Sequence, residues 1–438
     1  MKKVFIATLG CKSNQFDSAI IEENILRSGF QVVTADEPAD IYIINTCTVT
    51  RKADYQSRQL IRRFQRKNAN ALVIVTGCYA QVNPHEIGKI PGVDYILGNR
   101  EKDKIEQYLL RLKKRDKPQI QIESITGEKK LEYPLISRFP HHSRAFVKIQ
   151  DGCNRHCTYC IIPYARGSSR SLEHNKVLRQ IELLGRAGYR EVVLSGINLG
   201  SYGADFHTRF SLSDLLLNIE KQRPIERVRI SSLNPDEISE GMINQLASSN
   251  ILCSHLHISL QNGDDWILKR MGRNYTSEFF SELVMMIKSR IPEISIGVDI
   301  IVGFPGEGEE NFNNTYKLLE VLPISYLHIF PFSKRINTPA AKFSNQVNGQ
   351  IIKERSHYLK GLDQDKRKQF YQDFIGKKCL VLVEKKKDSK NGLLRGYSRN
   401  YLPVLLKGSD ELMGREVEVK ISRFEGEKLY TELISDSS

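Results

Sequence analysis

The chain has 438 residues, 65 Lys and Arg against 51 Asp and Glu, a formal net charge of +14, and 40% hydrophobic residues. That composition excludes disorder and collagen, and no stretch reaches the roughly 18–20 apolar residues of a bilayer span, so a membrane protein is excluded as well. The expectation is a cytoplasmic protein of several domains, with no membrane contact and a basic surplus suited to a polyanion. Eight cysteines are too few for a disulfide scaffold at this length, so their spacing carries the information. Six fall into two sets: Cys11, Cys47 and Cys78 along the first eighty residues, and Cys153, Cys157 and Cys160 close together.

From the N-terminus, KVFIATLG, DIYIINT and ALVIVTG read as strands, with SAIIEENILRSG and RQLIRRFQRKN as the helices between them. Strands alternating with helices predict a parallel sheet, an α/β domain over residues 1–118. Each strand ends at one of the spread cysteines. The carboxyl ends of parallel strands share one sheet edge, so the three thiols converge there or, alternatively, are ordinary buried core thiols. The helix EKDKIEQYLLRLKK follows, and residues 119–143 are assigned to a linker in which Tyr133-Pro134 and Phe139-Pro140 break any helix.

Residues 144–375 repeat strand and helix: AFVKIQ, EVVLSG, RVRISSL, HLHISL, ISIGVDIIVG and SYLHIFPF are strand patterns, with LEHNKVLRQIELLGRAG and SEFFSELVMMIKSR among the helices. Six β/α units predict a partial (β/α) barrel with its site at the strand carboxyl ends, where the cysteine trio stands. A basic helix, KERSHYLKGLDQDKRKQFYQDFIGKK, leads into residues 376–438. There CLVLVEKK, GLLRGYSRNYLPVLL, GREVEVKISRFEG and KLYTEL predict a small antiparallel β-barrel. Arg395 and Arg399, interleaved with Tyr397 and Tyr401, suit phosphate contact and base stacking. The run after Cys47, with Arg51, Lys52, Arg58, Arg62, Arg63, Arg66 and Lys67, is a solvated helix face or, beside an RNA site, a phosphate-binding one. Cys253 and Cys379 read as core residues.

Cys153-x3-Cys157-x2-Cys160 puts three thiolates on one loop. Structural zinc and simple ferredoxin sites both want four ligands; three cysteines can hold a four-iron cluster with one iron open. His156 could complete a zinc site but is sterically awkward next to Cys157 and reads as a surface residue. CNRHCTYC after a first barrel strand resembles the cluster loop of radical S-adenosylmethionine enzymes. With TLGCKSNQFDS, ADIYIINTCTVT, VTGCYAQ, ISLQNGDDWILKRMGRNYT and DIIVGFPGEGEENF, the resemblance narrows to the methylthiotransferases over nearly the whole chain, the last barrel resembling their TRAM domain.

The resemblance implies a 4Fe-4S cluster on Cys153, Cys157 and Cys160 that cleaves S-adenosylmethionine, and a second on Cys11, Cys47 and Cys78 that supplies sulfur. It implies a tRNA substrate and an electron donor such as flavodoxin or ferredoxin. Tyr159 precedes the last loop cysteine; Ser195, Gly196 and Asn198 follow the second barrel strand where such enzymes approach the cofactor, without the usual acidic residue. Gln261, Arg273 and Asp299 stand at later strand ends, either toward cofactor or substrate or in turn bonds and ion pairs. Gly303, Pro305 and Gly306 read as a tight turn bringing backbone near the cofactor. Among the branches the motifs are most similar to the one acting on N6-threonylcarbamoyladenosine next to the anticodon, with isopentenyladenosine tRNA and a ribosomal-protein aspartate as alternatives. Lys334 and Arg335, past the last barrel strand, are expected to hold the threonylcarbamoyl carboxylate. Ile336-Asn337 and Gly308 depart from the family pattern.

Overall fold

The computed structural model describes residues 1–109, 113–139 and 142–434. The first domain is a six-stranded parallel sheet of β1 (Lys3–Thr8), β2 (Gln31–Val32), β3 (Ile41–Thr46), β4 (Leu72–Gly77), β5 (Tyr95–Leu97) and β6 (Gln119–Gln121), ordered β2-β1-β3-β4-β5-β6. Every residue of β3 and β4 is buried, as central parallel strands covered on both faces must be. The helix Lys12–Arg27 is buried on two sides. Its Ile21 and Ile25 join the sheet core, while Phe16, Ala19 and Ile20 join the core of the following barrel. One boundary differs from the sequence reading: strand β6 lies inside the stretch assigned to the linker. The basic helix before β4 starts at Arg51, where the Thr50 side chain accepts from the Ala53 amide. The helix expected from Glu101 is a 3₁₀ turn (Glu101–Lys104) and a short helix (Ile105–Leu109); its continuation through 110–112, like the Pro140 break, lies outside the described residues.

The remaining linker is packed rather than loose: Ile136 and Phe139 are buried in the barrel core, and Gln180 both donates to and accepts from the Ile136 backbone. Strand β7 (Ala145–Lys148) runs into β8 (Gln150–Asp151), which pairs antiparallel with β9 (Arg170–Ser171). The barrel continues through β10 (Glu191–Ser195), β11 (Arg227–Ile230), β12 (His255–Gln261), β13 (Ser295–Val302) and β14 (Tyr326–Pro331), all parallel. Bridges Val228–Leu252 and Leu233–Ile258 join its two three-stranded halves, and β7 and β14 remain as open edges. The first domain closes that gap. Its helix Lys12–Arg27 packs on β7, while beyond β14 the Arg51 amide donates to Ser333 Oγ at 2.9 Å and Arg335 pairs with Asp54 at 2.7 Å.

After the helix Gly349–Gln372 come β15 (Lys378–Lys387), β16 (Leu394–Ser398), β17 (Pro403–Leu406), β18 (Glu416–Glu425) and β19 (Lys428–Leu433). They close a barrel ordered β15-β16-β17-β19-β18 in which one pairing, β17 with β19, is parallel and the others antiparallel. The stretch read as one strand, GLLRGYSRNYLPVLL, divides at a turn in which Tyr401 takes φ 66°. This barrel docks under the amino ends of the central strands: Arg227 reaches Glu416 and the Tyr397 carbonyl, and Arg229 the carbonyls of Ser398 and Arg399.

Candidate functional site

At the carboxyl ends of β1, β3 and β4 the chain brings Cys11, Cys47 and Cys78 together. Gly10, at φ 103°, runs so close to Cys47 that a Cβ there would lie 2.6 Å from the Cys47 Cβ. Asn14, one turn into the helix that Cys11 caps, ties the three ends: Nδ2 donates to the carbonyls of Leu9 and Thr46, and Oδ1 lies 4.0 Å from Cys78 Sγ. Cys47 and Cys78 are buried and Cys11 is exposed.

The second trio follows β8. Cys153 N donates to the Gly167 carbonyl, Thr158 N to the Met271 carbonyl and Cys160 N to the Cys157 carbonyl, and Arg155 is held by Asp236 and Glu237. His156 is exposed, as expected of a surface residue. The short helix Ile162–Arg166 then carries the chain to the first trio, where Arg166 donates to Asn14 Oδ1 at 2.5 Å and the Ala165 carbonyl accepts from Asn99. Arg166 is fully buried, with Asp17 and Asp151 as counter-ions, shared with Lys148; Lys102 also pairs with Asp17.

Both trios meet one cavity of about 590 Å³, lined by Cys11, Cys153, Cys157 and Cys160. Tyr159, Ser195, Gly196, Asn198, Gln261, Arg273 and Asp299 line it too. A polar chain crosses its upper wall: Asn234 donates to Asn198 Oδ1 at 2.6 Å and accepts from Arg273 at 2.6 Å, and Arg273 donates to the Tyr159 hydroxyl at 2.9 Å. Gln261, at φ 72° where β12 breaks register, holds a strained backbone at the wall.

Neither donor set is spaced for a single zinc ion. A zinc ion at about 2.3 Å from each sulfur would draw three of them to roughly 3.8 Å. Among the described residues neither trio gathers within 4.8 Å; only His257, Asp299 and His328 do. Burial and neighbouring thiols push Cys47 and Cys160 up to about 12, so these sulfurs are neutral until a cation takes the proton's place.

Several residues enter the cavity that sequence reasoning missed. His255 Nε2 and His257 Nδ1 meet the Tyr326 hydroxyl at 2.8 and 3.0 Å, and His257 Nε2 meets Asp299 at 2.7 Å. Although burial opposes the charge, the hydrogen bonds from His257 and His328 hold the Asp299 carboxyl far below the usual range. Lys12 is exposed by surface area and opens onto the cavity; the protein packed around it, with Arg229 and Arg144 nearby, lowers its ammonium to about 8. Tyr401 from the last barrel floors the cavity, its ring beside His255, Arg144 and Arg229. A period-two strand pattern in HLHISLQ marks the inward histidines; nothing local marks Lys12 or Tyr401.

Other expected residues lie elsewhere. Arg335 is not a free cation: it is 5% exposed, paired with Asp54 and donating to Thr48 at 2.6 Å, because it seals the first domain against the barrel. Lys334 is exposed outside the cavity lining. Arg399 is held by Glu416 and the Asn250 carbonyl, and Arg395 stands near Glu384. Tyr397 stacks on Tyr401 and Arg144 rather than facing outward. The Gly303–Gly306 turn packs on Ile352 and Trp266, away from the cavity.

Family models agree with this division. Residues 3–98 match "Uncharacterized protein family UPF0004", 147–319 the Radical SAM superfamily and 372–434 the TRAM domain. The fold also resembles the radical S-adenosylmethionine methyltransferase TsrM from Kitasatospora setae, with a TM-score of 0.56 at 16% identity over 77% of each chain. Fold and site thus define a radical S-adenosylmethionine enzyme. Threonylcarbamoyladenosine tRNA methylthiotransferase MtaB of Bacillus subtilis is 38% identical over 96% of this chain and 94% of its own length, and that of Aquifex aeolicus 41% over 96% and 100%. The tRNA-2-methylthio-N(6)-dimethylallyladenosine synthase of Natranaerobius thermophilus is 33% identical over 100% and 98%. The chain belongs to the radical S-adenosylmethionine tRNA methylthiotransferase family. As such it is an enzyme that uses S-adenosylmethionine and iron–sulfur chemistry. Among the described residues, no helix is long and apolar enough to cross a membrane.

Proposed function

We propose that this chain transfers a methylthio group to C2 of N6-threonylcarbamoyladenosine next to the anticodon of tRNA, using two S-adenosylmethionine molecules and two 4Fe-4S clusters. Cys153, Cys157 and Cys160 would hold one cluster and Cys11, Cys47 and Cys78 the other, with reducing equivalents from a donor such as flavodoxin or ferredoxin. When bound, these groups supply the electron, the radical and the sulfur. The observation that supports the reading is the shared cavity, lined by Cys11 of the first trio and by all three cysteines of the second. The chain's own part is positional. Arg273, Asn234 and Asn198 offer a fixed polar wall beside the Cys153–Cys160 loop, and Arg166 places a buried positive charge beside the other trio. Arg166 also fixes the spacing of the two sites, since it ends the short helix that follows Cys160. The choice of the threonylcarbamoyl base rests on the relatives of that name, at 38% and 41% identity, above the dimethylallyl enzyme at 33%.

The test is anaerobic reconstitution with tRNA bearing each base. Replacing Cys153, Cys157 and Cys160 by Ala should abolish S-adenosylmethionine cleavage and leave about half the iron. Replacing Cys11, Cys47 and Cys78 should spare cleavage and remove the methylthio product. Product from the second variant, or wild-type methylthiolation of the isopentenyl base alone, overturns the assignment.

A further inference from the structure

Below the cysteines the cavity changes character. Arg144 and Arg229 line its floor, and with Arg227, Arg395 and Arg399 behind them they lean on three carboxylates, Glu191, Glu384 and Glu416. With Lys12 added on one side and Asp299 on the other, two positive charges are left over. Lys12 is the one of these that projects from the first domain, beside Cys11, and it makes no ion pair within 4 Å among the described residues. Asp299 accepts hydrogen bonds from His257 at 2.7 Å and Ser259 at 3.1 Å and makes no ion pair with Lys12. His255 lines the same floor and is 95% buried; its Nε2 meets the Tyr326 hydroxyl, while its Nδ1 is shielded within the protein.

We propose that Lys12, backed by Arg144 and Arg229, forms an anion subsite that receives the free carboxylate of the substrate's threonylcarbamoyl group. The inference rests on the substrate reading above and gives it a place in the cavity that Arg335, closed onto Asp54, does not provide. A surplus of cations around the cavity attracts an anion, and an ammonium donates charge-assisted hydrogen bonds to a carboxylate. S-adenosylmethionine carries a carboxylate too. Its natural cation is Arg273, on the upper wall beside Tyr159 and the Cys153–Cys160 loop, whereas Lys12 stands beside Cys11.

The experiment uses anaerobically prepared protein with its clusters and anticodon stem-loops bearing either the threonylcarbamoyl base or the same base as its carboxamide. Wild-type protein should prefer the acid by about tenfold, Lys12→Arg should keep the preference, and Lys12→Gln should bring the two affinities within about twofold. Because the readout is a ratio within one preparation, a general loss of affinity does not obscure it. An unchanged ratio in Lys12→Gln overturns the subsite, as does an unchanged ratio accompanied by a tenfold loss in S-adenosylmethionine affinity, which would assign the carboxylate to the cofactor. A wild-type enzyme that methylthiolates the threonylcarbamoyl base without preferring the acid overturns the subsite alone. One that leaves that base untouched overturns the substrate assignment.

Discussion

His255 shows what the cavity asks of one side chain. Burial first, then Arg229 and the neighbouring His257, Lys12 and His328, push its imidazole well below the ordinary value, and burial lowers His257 as well despite Asp299. Both rings are therefore neutral near pH 7 in the folded chain, while the unfolded chain takes up protons near pH 6.5. The stability they carry is full above that value and is lost as pH falls below it. Thermal unfolding between pH 7 and 5 should therefore show a declining midpoint, each histidine contributing up to about 1.4 kcal/mol per pH unit. His255→Gln, which can still bond Tyr326, should flatten the decline; an identical slope would mean that other groups set it. The Asp299 carboxyl, held low, adds its own loss only below about pH 4.

Among the elements, the instructive ones are the edges β7 and β14 of the incomplete barrel. Each strand was readable from its own residues, since period-two and fully apolar runs need no partner to be recognised, and the meeting of the cysteines after β1, β3 and β4 followed from topology. The closure was not readable: Asp54 and Arg335 are 281 positions apart, and Thr48 and Arg335 287. Their side chains carry no local sign of pairing, which is why Arg335 reads from sequence as a cation free for substrate. Breaking that pair should cost stability rather than specificity. Arg335→Leu should lower unfolding free energy by about 3 kcal/mol and cut retention of iron at the first trio, with both tRNA substrates impaired alike. The double variant with Asp54→Leu should recover part of the loss in denaturant titrations. A selective defect on the threonylcarbamoyl substrate would instead return Arg335 to the binding site. For the same reason β6 escaped notice: QIQ pairs only because β5 lies beside it.

For the whole molecule, the last barrel is part of the site it sits beneath. Arg229 donates to its Ser398 and Arg399 carbonyls, Arg227 pairs with its Glu416, and Tyr401 closes the cavity floor. Ending the chain at Ile375 would strip those partners and leave Arg144, Arg227 and Arg229 on Glu191 alone. The expected outcome is more than a loss of tRNA affinity. The shortened chain should melt well below the intact one, expose apolar surface to a hydrophobic dye and lose S-adenosylmethionine binding. A truncated chain that keeps its melting temperature and cofactor affinity, and only weakens on tRNA, would show the barrel to be a separable RNA module.

Asp17 has a temporal consequence. Lys102 lies within the first domain, but its other partners, Lys148 and Arg166, come 131 and 149 residues after it in the chain. On the ribosome, the roughly fifty residues separating position 118 from Arg166 take several seconds to emerge at ~5–20 residues per second. Through that interval the nascent first domain must hold an acidic group in its interior with one cation instead of three. The segment that family comparison marks as a unit is thus not one that synthesis can finish by itself. Its last stitch waits for the residue that ends the radical loop's own helix.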